Sequence, residues 1–379
     1  MPRLLITGGH LTPALAFIDW LRHEHPDWSV VFVGREYAQV QTKQPSWERE
    51  EISKRSLQFI PFEGQKTGHF NPFTFTQTVG QAARILREQK VNVVLSFGGY
   101  LAVPFAIAAR YYHLGVVTHE QTRVLGRSNR LLSFLAGKTA ISYPDTQVPF
   151  YVGVTTLTGN PLRSQLFVAN SPQPTWFTPT LARPVLYISG GSQGAKALNE
   201  LILPILAHLT QDFLVIHQVG RRSSLRDPLG EINQYIEQHY PNLTNYFPRE
   251  FLSVVELAYF YPRINIALGR SGANTVAELT AFKIPALYIP LPQANYDEQY
   301  LNAAALAQKG GAIVARQEEL TPSRVLELVR QLEKQQESMS QVLGQQPTSF
   351  DACDKIFALL LAVLNPTPPV KSSPNDSRA

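Results

Sequence analysis

Short apolar runs rich in β-branched residues recur through the first half of the chain, at residues 4–7, 29–33, 57–61, 91–96, 115–119 and 139–142. Stretches with helical spacing of apolar positions, such as 13–22 and 79–88, lie between several of them. The second half repeats the theme at residues 185–189, 213–217, 264–268, 286–290 and 312–315. Runs without polar alternation suit strands covered on both faces, and interposed helices let such strands run parallel. The pattern predicts an α/β protein with two doubly wound, Rossmann-like domains. Pro172, Pro174, Pro179 and Pro184 crowd one stretch of fifteen residues and read as linker. The expected division is 1–162 and 163–349, then a terminal helix over 350–365 packing back towards the first domain. Residues 366–379, rich in Pro, Ser and charge, are expected to be disordered. In two such domains the strand C-terminal ends, and with them the ligand sites, face each other across a cleft.

Composition narrows the class. The chain has 379 residues, 44% hydrophobic and 17% charged, enough apolar material for two cores. A single cysteine, Cys353, excludes an intramolecular disulfide framework and a Cys-built zinc site. Of the net charge of +5, all falls within residues 1–160, where 16 Lys and Arg face 11 Asp and Glu; the remainder balances at 18 and 18. A one-sided basic surface suits a phosphate-bearing substrate or an acidic lipid surface, although an imbalance of five also arises by chance. It is weak ground for nucleic acid, and no nucleic-acid partner is expected. The longest apolar run, residues 356–364, would form a helix of roughly 14 Å, half of the roughly 30 Å needed to cross a bilayer. Residues 1–7 lead into a glycine turn without an export-type hydrophobic region. A cytoplasmic protein, soluble or peripheral, is expected.

Three glycine turns each follow an expected strand and precede an expected helix: Thr7-Gly8-Gly9-His10, Ser96-Phe97-Gly98-Gly99-Tyr100 and Ser189-Gly190-Gly191-Ser192-Gln193-Gly194. Glycine lets backbone approach a ligand, and N–H groups at a helix start favour phosphate oxygens, so two phosphorylated ligands are expected, one on each side of the cleft. A role confined to strand–helix packing is the competing reading. None of the turns has the P-loop Lys-Ser/Thr pair or the full dinucleotide spacing.

Several blocks resemble the bacterial MurG family of glycosyltransferases. They are TGGHLTPA (7–14), SFGGYLAVP (96–104), HEQ (119–121) with Asn129-Arg130, TGNPLR (158–163), SGGSQGAKALNE (189–200), RSGANTVAE (270–278) and residues 290–303. The resemblance spans about residues 3–315 and implies two Rossmann-like domains of GT-B type. The implied activity is transfer of N-acetylglucosamine from UDP-N-acetylglucosamine to the muramyl peptide carried on undecaprenyl diphosphate. The second domain would bind the donor. Gly191, Ser192, Gln193 and Arg163 would meet the diphosphate, Glu278 the ribose hydroxyls, the backbone at Phe251-Leu252 the uracil edge, and Thr122, Glu298, Gln299 and Asn302 the sugar. Gly8, Gly9, Gly98, Gly99 and Tyr100 would cradle the acceptor diphosphate. His10 would take the proton from the acceptor hydroxyl, or would contact the acceptor diphosphate; His119 is the rival base. With no Asp-x-Asp and no His pair at ligand spacing, neither metal nor cofactor is expected. Lys66, Phe70, Phe73 and Phe75, followed by Arg84, Arg87 and Lys90, read as an interfacial patch for an anionic membrane surface, or as a loop with core phenylalanines.

The sequence departs from the family around the sugar and acceptor. The first turn is shorter than usual, which predicts fewer N–H groups for the acceptor diphosphate. Thr122 replaces Asn, Gln293 replaces His, and Glu298 precedes Gln299. Three further readings stay open on the same fold: a related UDP-sugar-dependent transferase with altered sugar or acceptor, a UDP-N-acetylglucosamine 2-epimerase and a non-catalytic sugar-nucleotide-binding protein.

Overall fold

A computed structural model of the chain describes residues 1–39, 44–64, 71–152, 155–178, 181–191, 194–223 and 226–365. The strands in chain order are β1 (Arg3–Thr7), β2 (Ser29–Gly34), β3 (Tyr37–Gln39), β4 (Gln44–Pro45), β5 (Gln58–Pro61), β6 (Val93–Ser96), β7 (Gly115–Glu120), β8 (Lys138–Ile141) and β9 (Thr155–Leu157). They continue with β10 (Val185–Ser189), β11 (Leu214–Gln218), β12 (Tyr246–Arg249), β13 (Ile264–Gly269), β14 (Ala286–Tyr288) and β15 (Ala312–Val314). One seven-stranded parallel sheet has the order β5-β2-β1-β6-β7-β8-β9, and one six-stranded parallel sheet has the order β12-β11-β10-β13-β14-β15. β3 and β4 form a separate antiparallel pair.

Both sheets are covered on two faces, and the burial shows why. In β1, Leu4 and Ile6 enter one apolar cluster while Leu5 enters another; in β10, Val185 and Tyr187 face one and Leu186 and Ile188 the other. Period-two side chains that are apolar on both faces require helices on both faces. The sequence pattern located most of these strands to within a residue or two. It missed β9, β12 and the small β3–β4 pair, and it began the helix Pro72–Glu88 seven residues late. That helix starts at Pro72, where Asn71 caps the Phe73 and Thr74 N–H groups, so Phe73 and Phe75 occupy its first turn.

The proline-crowded stretch is no free tether. Phe177 is buried in the second sheet's core, and Trp176 Nε1 donates to Glu256 at 2.6 Å. Two aromatic side chains outweigh the extended bias of the prolines around them. The terminal helix Ala352–Leu364 returns to the first sheet, where Ile356, Phe357 and Leu360 complete the core shared with Leu4, Phe17 and Val93. Its Cys353 is buried there, and burial pushes the thiol up to about 12, far from thiolate reactivity. Residues 366–379, expected to be disordered, lie outside the described residues.

Candidate active site

Each sheet reverses its strand order once, between β1 and β6 in the first and between β10 and β13 in the second. Loops leaving such a pair diverge and open a crevice at the strand C-terminal ends. The turns at Gly8-Gly9 and Gly98-Gly99 follow β1 and β6, the turn at Gly190-Gly191 follows β10, and Arg270-Ser271-Gly272 follows β13. The glycine turns thus mark both switch points.

The two turns of the first sheet pack backbone against backbone. A Cβ added to Gly9 would lie 2.4 Å from the Gly98 carbonyl oxygen, and one on Gly99, at φ +85°, would lie 2.8 Å from Gly9 Cα. Two of their four glycine N–H groups are committed within the chain. Gly8 donates to the Val33 carbonyl and Gly98 donates to Ser96 Oγ at 3.0 Å, and the Glu48 carboxylate lies beside Gly8. Tyr100, half-buried, follows these turns. Glu48 stands on the helix Trp47–Lys54 and accepts from Arg35 N at 2.9 Å. Burial raises its pKa, opposed by that N–H group and by the Arg35 charge.

His10 is half-buried at the start of the helix Leu11–Glu24, and its ring lies beside Gly98 and Asn129. Burial lowers its pKa, and the negative charge of Glu120 pulls partly the other way. His10 is therefore neutral at pH 7, the form a general base needs. His119, the rival, is buried, with Nε2 2.9 Å from the Gly159 carbonyl and 3.3 Å from Ser142 Oγ. A carbonyl only accepts, so Nε2 carries the proton and ties the end of β7 to the chain crossing at Gly159. Burial pushes the His119 pKa down to about 4. In the unfolded chain this histidine protonates near pH 6.5, so the neutral folded form contributes stability that is lost as pH falls from 6.5 towards 4. At pH 5 the loss is about 2 kcal/mol from this residue. Urea midpoints of wild type and His119→Gln compared at pH 7 and pH 5 should show the smaller acid sensitivity in the variant.

Glu120 is an organising residue that sequence reasoning did not single out. Its buried carboxylate accepts from Thr122 N and Oγ1 at 2.9 and 2.8 Å through Oε1, and from Gly126 N and Asn129 Nδ2, both at 2.9 Å, through Oε2. Thr122 is buried with its hydroxyl between Glu120 and the Val124 carbonyl. A hydroxyl has one proton, and here both acceptors for it are internal.

In the second sheet, Gly191 sits at φ +84° with open space where a side chain would be. Ser192 and Gln193 lie outside the described residues. Gln218 links two expected donor segments: its Nε2 donates to the Gly191 carbonyl at 2.9 Å and its Oε1 accepts from Leu252 N at 3.1 Å. Arg163 and Glu278, expected to meet different parts of a nucleotide, meet each other. Arg163 Nε and Nη2 donate to the two Glu278 oxygens at 2.8 Å each, and the Tyr261 hydroxyl adds a third bond at 3.0 Å. This charge-assisted fork keeps the guanidinium protonated despite its burial.

Glu298 begins the helix Glu298–Ala307, after Tyr296 and Asp297 in left-handed backbone. Burial, with the Glu120 charge adding to it, pushes its carboxyl up to about 7. Gln299 Oε1 accepts from Leu291 N at 3.0 Å. Asn302 is buried, accepts from Arg123 N at 3.3 Å, and leaves Nδ2 without a partner, a donor available to a ligand oxygen. Asn274 joins the sheets, accepting from Asn160 Nδ2 at 2.9 Å and donating to Gln121 at 3.2 Å. Among the described residues, no three His, Cys, Asp or Glu side chains are grouped to share a metal ion.

The profiles of the glycosyltransferase family 28 N-terminal and C-terminal domains match residues 7–141 and 185–351. Two curated relatives carry the name UDP-N-acetylglucosamine–N-acetylmuramyl-(pentapeptide) pyrophosphoryl-undecaprenol N-acetylglucosamine transferase. That of Histophilus somni is 31% identical over 87% of this chain and 88% of its own length. That of Lachnoclostridium phytofermentans is 30% identical over 95% and 98%. The crystal structure of Acinetobacter baumannii MurG superposes with a TM-score of 0.70 at 26% identity, covering 95% of this chain and 99% of that one. The calicheamicin glycosyltransferase CalG4 shares the fold at a TM-score of 0.63 and 14% identity, over 95% and 98% of the two chains. The chain, with its two parallel sheets and its paired switch-point turns, belongs to glycosyltransferase family 28 and is a MurG-like enzyme of GT-B fold.

Proposed function

We propose that the protein transfers N-acetylglucosamine from UDP-N-acetylglucosamine to the C4 hydroxyl of undecaprenyl-diphosphate-linked N-acetylmuramyl peptide, with inversion and without a metal ion. The observation that carries this reading is identity of about 30%, spread over most of the chain, to curated transferases of that printed activity.

The residues support a division of labour. The second-sheet turns and the start of the helix Ala273–Ala281 offer N–H dipoles where negative charge grows on the departing UDP. Glu278 Oε1 accepts one bond from Arg163 and keeps a lone pair for a ribose hydroxyl, with Arg163 as its positioning residue. Asn302 Nδ2 is free to reach the sugar, and Glu298, protonated in part at neutral pH, can donate to a sugar hydroxyl. Neutral His10 removes the C4 proton of the acceptor.

Work at the cytoplasmic face of the membrane fits the surface of the first domain. Phe73 and Phe134 are exposed, and Phe134 shares a groove with Arg110 and Lys138. Arg84, Arg87 and Lys90 are exposed as well, whereas Phe75 packs against the core. Lys66 and Phe70 lie outside the described residues. No helix among the described residues is long and apolar enough to cross a membrane. Calorimetry in the presence of chelator should show UDP-N-acetylglucosamine binding at least about tenfold tighter than UDP-glucose, a gap of about 1.4 kcal/mol. Tighter binding of UDP-glucose would contradict the donor assignment.

A further inference from the structure

The first glycine turn, the natural place to expect the acceptor's diphosphate, already holds an anion that belongs to the chain. Arg35 gives its N–H to Glu48, Gly8 gives its own to Val33, and a Cβ on Gly8 would lie 3.0 Å from Glu48 Oε1. A second anion entering that turn would meet a carboxylate at contact distance and find the Gly8 N–H engaged.

The same region opens into a cavity of about 630 Å³ that runs from Gly9 and His10 to the segment after β11. Four arginines line it, Arg35 from the first domain and Arg221, Arg222 and Arg226 from the second, against two acids, Glu48 and Glu50. The positive excess comes from the second-domain wall, since Glu48 and Glu50 both stand on the first-domain wall beside Arg35. Arg226 is committed to Glu231 at 2.6 Å, and Arg221 reaches Glu50 at 3.3 Å. The other two are less occupied: the 70% exposed Arg222 guanidinium reaches Asp227 only at 3.7 Å, its backbone N–H donating to Glu250 at 3.4 Å, and the Arg35 side chain has no hydrogen-bonded acid among the described residues. On two residues of the lining, Arg221 Nε and Trp47 Nε1 are buried without an acceptor. Loosely paired guanidiniums on two facing walls suit a ligand with several anionic oxygens.

We infer that this arginine-lined cavity, with Arg35 and Arg222 as its principal ligands, holds the acceptor's diphosphate, and that Glu48 fills the glycine turn in its place. The inference rests on the proposed function for the identity of the acceptor, but the diphosphate chemistry is independent of it. It also accounts for the shortened first turn: backbone N–H groups lost from that turn are replaced by side-chain cations, one from each domain. A headgroup held between the two walls sits next to His10, where its sugar hydroxyl must lie for deprotonation.

Inorganic pyrophosphate titrated into UDP-saturated protein should bind, with affinity falling as salt rises. Arg222→Ala and Arg35→Ala should each weaken it about tenfold, the size of one lost charge-assisted bond, with UDP affinity changed less than twofold. Arg222→Lys should recover part of the loss, and circular dichroism should show all variants folded. In transfer assays Arg222→Ala should raise KM for the lipid-diphosphate acceptor about tenfold and leave kcat within threefold. Pyrophosphate that competes with UDP, or that binds both alanine variants as tightly as wild type, overturns the inference. Arginine-dependent pyrophosphate binding without any sugar transfer supports the anion site and rejects the functional reading. Transfer with an unchanged acceptor KM in Arg222→Ala rejects the site alone.

Discussion

Glu278→Ala is expected to lower the unfolding free energy by about 3–5 kcal/mol and to abolish measurable UDP-sugar binding. The reason is the fork with Arg163. Glu278 is buried, Arg163 nearly so, and both of the carboxylate's oxygens carry a guanidinium bond. Alanine leaves the guanidinium buried without its counter-ion and the Tyr261 hydroxyl without its acceptor. Removing both charges together is a different experiment, because an apolar pair of similar volume escapes the desolvation cost. Arg163→Met combined with Glu278→Leu should therefore regain most of the stability, measured by urea denaturation, yet still fail to bind UDP-N-acetylglucosamine by calorimetry. Recovery of folding and binding together would show that the pair serves structure only.

His10→Ala should reduce kcat about 10²–10⁴-fold while UDP affinity stays within twofold, since in the proposed reaction the ring acts on the acceptor and not on the nucleotide. The pH profile supplies a second signature. Burial lowers the His10 pKa, so the acid limb of the wild-type rate should lie below pH 6.5, the ordinary histidine value. Glu120→Gln removes the negative charge that opposes this shift and should move the limb lower still. A His10→Ala variant with near-wild-type turnover would remove His10 as the base and leave it the role of contacting the acceptor.

What the sequence made legible was local. A strand, a glycine turn and a helix start lie within a dozen residues of one another, so the turns that mark both switch points could be read directly. Side chains that meet across the fold could not. Arg163 and Glu278 are 115 residues apart, and each alone reads as a cation and an acid ready for a nucleotide, not as a pair. Glu120 and Gln218 are single polar residues at strand ends, indistinguishable in a linear chain from solvated ones until four donors converge on the first and two segments on the second. Glu48 was hidden for another reason. A carboxylate near a helix start is commonplace, and only the packing of the helix Trp47–Lys54 against β2 and β5 places it over the Gly8-Gly9 turn. The proline-crowded stretch misled because proline spacing says nothing of the two aromatic residues that anchor it.

The most direct measurement follows radiolabelled sugar from UDP-N-acetylglucosamine, with chelator present, to a muramyl peptide on a polyprenyl diphosphate. The account requires label to appear in the lipid product as a β-linked disaccharide with stoichiometric release of UDP. Release of an epimerised free sugar, or tight nucleotide binding with no label in the lipid, would contradict it.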